Sequence, residues 1–487
     1  MRVTRRGVLG GLLASGATPL LADAPLTSIR PAPRAADLFK RAVISAQALV
    51  EQARLGGEVG FAVADMRTGT ILESRAPALG LAPASTAKTM TSLYALDALG
   101  IDHRFETRLV ATGPVTAGRL EGDLILAGGG DPTLDTDALA DMAMQLKQVG
   151  LREISGRFLV ADGALPLLRD IDADQPDHVG YNPAVGGLNL NFNRVHFEWR
   201  REAGKYRVTM DARSDRYRPE VTMAQMRVID RTLPVYTYAD DDGRDAWTVA
   251  RGALGTGGAR WLPVRRPALY AGEVFQTFAR AQGIALNGDV GRTDSFAGTT
   301  LVRHNSAALP EILRDMLRYS TNLTAEVVGM TASVRRGGPV SGLAESAARM
   351  NAWLADRGLA PGAAFVDHSG LSGTSRMSAG DMAQAMVAAG QGGILRGLLR
   401  TYPMENRPET PVQAKTGTLN FVSALTGFVA SPGNTDLAFA IFCADSPRRA
   451  AVPLTDRESP PGGAAWTRRA RTLQWALLER WSTLYTA

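Results

Sequence analysis

Between His103 and Pro267 the chain changes texture, and any fold must accommodate that change. Short β-prone runs (RFETRLVATG, GDLILAGGGD, GRFLVADG, LNLNFNRVHFEWR, YRVTMDAR) follow one another across Gly and Asp turns. One stretch among them, Asp137 to Val149, has the periodicity of a helix. Before this block, Asp37 to Ala53 predicts a helix, and EVGFAVADMRTGTILESR predicts a hairpin turning at Arg67-Thr68-Gly69. LAPASTAKTMTSLYALDALG predicts a helix starting near Ser85 and ending at Gly100. After the block come helical runs (GEVFQTFARAQG, LPEILRDMLRYS, TAEVVGMTASVRR, ESAARMNAWLADRG, AGDMAQAMVAAG). Three strand runs follow (PVQAKTGTLN, VSALTGFVAS, TDLAFAIFCA), then a last helix from about Thr467 to Tyr485. A chain of 487 residues exceeds one ordinary domain. The expected arrangement is an α/β core made of residues 37–103 and 268–487, split by a β-rich insertion over 104–267 of two nested domains.

The charge balance narrows the function. A net charge of +6, with no block of Lys or Arg standing apart, does not suit a nucleic-acid partner. Five His and one Cys have no metal-ligand spacing, so no metal and no cofactor is expected. Cys443, inside LAFAIFCA, reads as a small buried hydrophobe. The first 24 residues read as an export signal: Arg2, Arg5 and Arg6, an apolar stretch from Gly7 to Leu21, then small residues. The stretch is short for a membrane span. Arg5-Arg6 suggests twin-arginine export, but Val8 and Gly10 depart from that signal, so the ordinary secretion route stays open. Either route places the mature protein outside the cytoplasm, in a bacterial periplasm.

Lysine is scarce here. Of 54 Lys plus Arg, five are lysines: Lys40, Lys88, Lys147, Lys205 and Lys415. Lys88 stands three residues after Ser85, on the same face of the predicted helix and near its N-terminus. There a hydroxyl meets an amine beside free backbone N–H groups that stabilise negative charge. A lysine can lose its proton when buried, whereas an arginine cannot. Lys415 lies in Lys415-Thr416-Gly417-Thr418 on a predicted strand. Gly417 would let a substrate backbone approach, and Thr416 and Thr418 would offer hydroxyls to a carboxylate. Ser320-Thr321-Asn322 supplies a further hydroxyl and an amide at a break between helices.

The ordered set S-x-x-K, S-x-N, K-T-G resembles the penicillin-binding proteins and serine β-lactamases. The 235 positions between Ser85 and Ser320 leave room for the insertion. That spacing is similar to the D-alanyl-D-alanine carboxypeptidase/endopeptidase family, the class C low-molecular-mass penicillin-binding proteins. GDLILAGGGDPTL, NPAVGGLNLNFN, STNLTAE, DHSGLS and KTGTLNFVSALTGFV carry the resemblance along nearly the whole mature chain. It implies a penicillin-binding-protein-like α/β (α+β) transpeptidase core with a large insertion between the first and second motifs. It also implies peptidoglycan stem peptides as substrates and β-lactam antibiotics as covalent inhibitors. Ser85 would be the acylated nucleophile and Lys88 its base. Ser320 would relay a proton to the leaving amine, and Asn322 would orient the substrate amide. Lys415 would tune Ser320 and, with Thr416 and Thr418, bind the terminal carboxylate. The backbone N–H groups of Ser85 and Thr418 would form the oxyanion hole. Thr321, where Asp is common, and His368, where a small residue is common, depart from the pattern.

Two other functions share these motifs. A serine β-lactamase or esterase could use the same core, but class C β-lactamases carry Tyr at the position of Ser320, and the insertion favours a peptidase. A non-catalytic peptidoglycan-binding protein would not need the complete polar set. Asp367-His368-Ser369 reads as a loop near the site rather than a triad, and Gly128 to Asp131 as a turn after a strand. Trp466, Trp475 and Trp481, with Arg468, Arg469, Arg471 and Arg480, favour packing of the last helix on a sheet over peripheral membrane contact. Glu326 receives no role.

Overall fold

The computed structural model describes residues 43–286, 288–431 and 435–485. The proposed signal (1–24) and the start of the first expected helix lie outside them; the helix is seen over Ala46–Ala53. A six-stranded antiparallel sheet forms the core. Its order is Arg400–Met404, Arg407–Leu419, Val422–Val429, Leu437–Ala444, Glu58–Asp65, Ile71–Arg75. Thus the hairpin near the start of the chain sits beside the last strand, and the three expected C-terminal strands are neighbours.

Alternation along these strands explains the layers. In Leu437–Ala444, Phe439, Ile441 and Cys443 face the helices Ala46–Ala53 and Gly463–Tyr485. Ala438, Ala440 and Phe442 face the opposite helical layer. The alanines on that face let helix Ala379–Gly390, itself rich in small residues, lie close against the sheet. Behind it stand Ala87–Leu99, Leu309–Tyr319, Asn322–Gly337 and Leu343–Asp356. Cys443 is a buried hydrophobe, its thiol pushed up to about 12 by burial. Trp466 and Trp481 are buried against the sheet, so the terminal helix uses its aromatic face for packing.

The β-rich block follows Gly100 and builds its own sheets. One has the order Gly291–Arg292, Phe158–Ala161, Leu124–Gly128, Glu106–Ala111, Thr299–Asn305. Two three-stranded sheets, from Arg194–Glu202, Lys205–Asp211 and Gly257–Pro263 and from Ala224–Ile229, Tyr236–Asp241 and Arg244–Ala250, share one apolar core with it. The expected boundary at 267 needs correction. Helix Pro267–Ala281 buries Tyr270, Val274 and Phe275 in that core, and Thr299–Asn305 pairs with Glu106–Ala111. The block therefore runs to Asn305, and the core resumes at Leu309–Tyr319. Among the described residues no helix is long and apolar enough to cross a membrane.

Candidate active site

Ser85 sits in a single 3-10 turn, Ala84–Thr86, that leads directly into helix Ala87–Leu99. Ala84 before it is left-handed, at φ 47°, a conformation that costs a non-glycine residue roughly 1–3 kcal/mol. The turn is held from two sides. A side chain at Gly370 would meet the Ala84 carbonyl at 2.0 Å, and one at Gly417 would come within 3.0 Å of the Ser85 nitrogen. Both positions therefore need glycine, and the sheet edge at Gly417 lies against the turn that carries Ser85. Beyond Ala414 this strand has no partner on the Arg400–Met404 side, which leaves the edge at Thr416 to Thr418 open.

Lys88, the second residue of the helix and one turn after Ser85, is completely buried. Its Nζ donates to Ser85 Oγ at 3.0 Å, Asn322 Oδ1 at 2.8 Å and the Ser369 carbonyl at 2.8 Å. Burial lowers its pKa to about 8, against the opposing pull of Glu326 and Asp367. Two of the three acceptors are carbonyl oxygens, which can only accept. When the amine is neutral, its two N–H groups stay on those oxygens. Its lone pair is then left facing the Ser85 hydroxyl, which is the geometry of a general base.

Ser320 is the left-handed residue (φ 58°) that ends helix Leu309–Tyr319, and Asn322 opens the next helix two residues on. The break turns both side chains toward the site. Lys415 Nζ donates to Ser320 Oγ at 3.0 Å and to the Thr416 carbonyl at 2.7 Å. Burial, and then the charge of Lys88, hold Lys415 well below its ordinary pKa. Ser85, Ser320, Asn322 and Thr418 line one cavity of about 780 Å³. Thr416 and Thr418 are both exposed and share the strand face opposite Lys415 and Gly417, but of the two only Thr418 lines the cavity. Thr418 accepts from Arg471 Nη2 at 3.3 Å.

The structure adds residues that the sequence reading passed over. Glu326, fully buried and four residues after Asn322 on the same helix face, accepts the backbone N–H of His368 and of Ser369, each at 2.9 Å. Burial, then Asp367, raises its pKa to about 8. Asp367 accepts from the N–H groups of Gly370 and Ser372 at 2.9 and 2.7 Å. The two carboxylates thus fix the 367–372 loop, which presents the Ser369 carbonyl to Lys88. The i, i+4 spacing of Asn322 and Glu326 was the available signal. His368 takes no part in a triad. Its Nε2 pairs with Ser346 Oγ at 2.7 Å, its ring stacks on Tyr94, and burial pushes its pKa down to about 3. The other walls of the cavity come from the β-rich block (Gln175, Tyr181) and from the segment before the last helix, including Arg449, Arg457 and Glu458. Among the described residues no group of acidic, His and Cys side chains could hold a metal.

A family model described as "D-Ala-D-Ala carboxypeptidase 3 (S13) family" matches residues 42–459. The D-alanyl-D-alanine carboxypeptidase of an Actinomadura species is 28% identical over 490 residues, covering 91% of this chain and 88% of the relative. D-alanyl-D-alanine carboxypeptidase DacB of Haemophilus influenzae is 24% identical over 431 residues, covering 82% and 88%. The crystal structure of penicillin binding protein 4 from Haemophilus influenzae has the same fold, with a TM-score of 0.74 at 20% identity, covering 91% of this chain and 100% of that one. A second structure of that protein, with a TM-score of 0.71, holds a β-lactam.

Proposed function

We propose, from the premise that this chain belongs to the D-Ala-D-Ala carboxypeptidase 3 (S13) family, that it is a serine DD-peptidase working through an acyl-enzyme at Ser85. The observation that carries this reading is the contact set of Lys88, a buried amine whose two carbonyl acceptors leave Ser85 as the partner of its lone pair. The neutral amine takes the proton as Ser85 Oγ attacks the penultimate D-alanyl carbonyl. The oxyanion forms against the backbone N–H groups of Ser85 and Thr418. Ser320, with Lys415 behind it, passes a proton to the departing D-alanine amine. Water then hydrolyses the acyl-enzyme. Lys415 and Thr418 hold the terminal carboxylate, with Arg471 adding charge from behind Thr418. Thr416 contributes its carbonyl to Lys415.

The substrate is a peptidoglycan stem peptide met outside the cytoplasm, with residues 1–24 as the export signal. The cavity of about 780 Å³ has room beyond one terminal D-alanine. Cleavage of D-alanyl cross-links at the same site is therefore part of the reading. A β-lactam would open on Ser85 and leave a slowly hydrolysed acyl group. Purified protein is incubated with monomeric and cross-linked muropeptides, and the products are weighed by mass spectrometry. Loss of one alanine from monomers, conversion of dimers to monomers, and loss of both reactions in Ser85→Ala are expected. Products from the Ser85→Ala protein would overturn the assignment.

A further inference from the structure

The segment 169–182 of the β-rich block has no helix or strand, yet it reaches the nucleophile's surroundings. The Tyr181 carbonyl accepts from Asn322 Nδ2 at 2.9 Å. That bond decides which way the Asn322 amide faces. With Nδ2 committed to Tyr181, Oδ1 is turned to Lys88 Nζ. A flipped amide would set a donor against a donor and free the Lys88 amine from one of its two carbonyl acceptors.

A segment without regular structure must satisfy its backbone by other means. Here two buried side chains do so. Asn182 accepts from the N–H groups of Ile171 and Asp172 and donates to the Asp172 carbonyl. Arg265 enters from the other side. Its Nη1 donates to the carbonyls of Arg169 (2.8 Å) and Asn182 (2.9 Å), and its Nη2 to that of Asp177 (2.7 Å). Its own backbone N–H is held by the buried Asp245. One planar guanidinium thus pins the start, middle and end of the segment, which a lysine's point charge would not span. Of these three carbonyls, that of Asn182 belongs to the residue next to Tyr181.

We propose that Arg265 is a positioning residue for acylation: through segment 169–182 it fixes the Tyr181 carbonyl, and through that carbonyl the orientation of Asn322 toward Lys88. The β-rich block then supplies a part of the base arrangement and not only a wall for substrate. This rests on the reading of Ser85 as the acylated nucleophile.

The test is a double-mutant cycle read as the second-order rate of labelling by a fluorescent penicillin. The four proteins are wild type, Arg265→Met, Asn322→Ala and the double variant. Rates are taken per active molecule, counted by the label at saturation, so that misfolded protein does not enter. Arg265→Met alone is expected to slow labelling about tenfold, a typical coupling between residues acting through one another. In the Asn322→Ala background it should have no further effect beyond twofold. Arg265→Lys should lie between wild type and Arg265→Met, and it replaces Arg265→Met in the cycle if that protein does not fold. Multiplying effects, or wild-type rates in both Arg265 variants, overturn the proposal. Absence of label on Ser85 in wild type overturns the underlying reading instead.

Discussion

At the scale of single residues, the site holds four buried titratable groups that constrain one another. Lys88 and Lys415 are held below their ordinary pKa by burial, while Glu326 and Asp367 are raised by it. In the proposed reaction Glu326 would act at a distance: its ionised form raises the Lys88 pKa, and its oxygens hold the loop whose Ser369 carbonyl accepts from Lys88. Glu326→Gln removes the charge and turns one acceptor into a donor facing a backbone N–H. The Lys88 pKa should then fall further below about 8, moving the rising limb of the acylation pH profile to lower pH. Stability should drop by roughly 1–3 kcal/mol for the unsatisfied group. A pH series of penicillin labelling and a urea titration check both; an unmoved limb would contradict the role. Ser85, Lys88, Ser320, Asn322 and Lys415 could be picked out in the sequence because each sits in a short motif. Glu326 was signalled only by its i, i+4 spacing from Asn322 and Asp367 only as part of a loop near the site, while Arg265 could not be found, because its partners lie on another segment.

At the scale of elements, the terminal helix Gly463–Tyr485 closes the sheet on the face away from the helical layer. Trp481 is its central contact. Its ring packs on Phe61 and Phe439, and its Nε1 donates to Glu73 Oε2 at 2.7 Å. Arg480 pairs with the same carboxylate at 2.8 Å. Trp481→Ala should cost about 3–5 kcal/mol, the range for removing a large buried aromatic. Chemical denaturation would show it, and a loss under 1 kcal/mol would mean that the helix is not part of the cooperative core. Periodicity gave most of the helices to within a few residues, but the first begins at Ala46, capped by Ser45, and not at Asp37. It missed Thr299–Asn305 as part of the β-rich block, although GTTLVRHN has strand chemistry. The strand's partner, Glu106–Ala111, is far away along the chain, and pairing at that range leaves no local mark.

At the scale of the whole molecule, the β-rich block lines the candidate cavity through segment 169–182 and reaches its wall again where Arg260 pairs with Glu458, and much of the rest lies away from it. The hairpin turn at Ala203-Gly204 is exposed and touches none of the cavity. A protease site built there and cut in the folded protein should leave penicillin labelling within about twofold, since exposed turns tolerate nicking. A site built at Asp174, inside the segment, should slow labelling at least tenfold once cut, if the proposed coupling to Asn322 holds. Equal behaviour of the two nicked proteins would contradict this division of the block.

In the proposed mechanism Lys88 must give up its proton before Ser85 can react. Lys88→Arg keeps a cation at the position and removes the ability to accept a proton. The measurement is the second-order rate of fluorescent-penicillin labelling at Ser85, for wild type and Lys88→Arg, from pH 6 to pH 10. Wild type should accelerate with pH and level off above about 8, following the lowered pKa of the buried amine. Lys88→Arg should be slower by roughly 10²–10⁴-fold, with no such rise. Lys88→Arg labelling at the wild-type rate, with the wild-type pH profile, would contradict the assignment of Lys88 as the base.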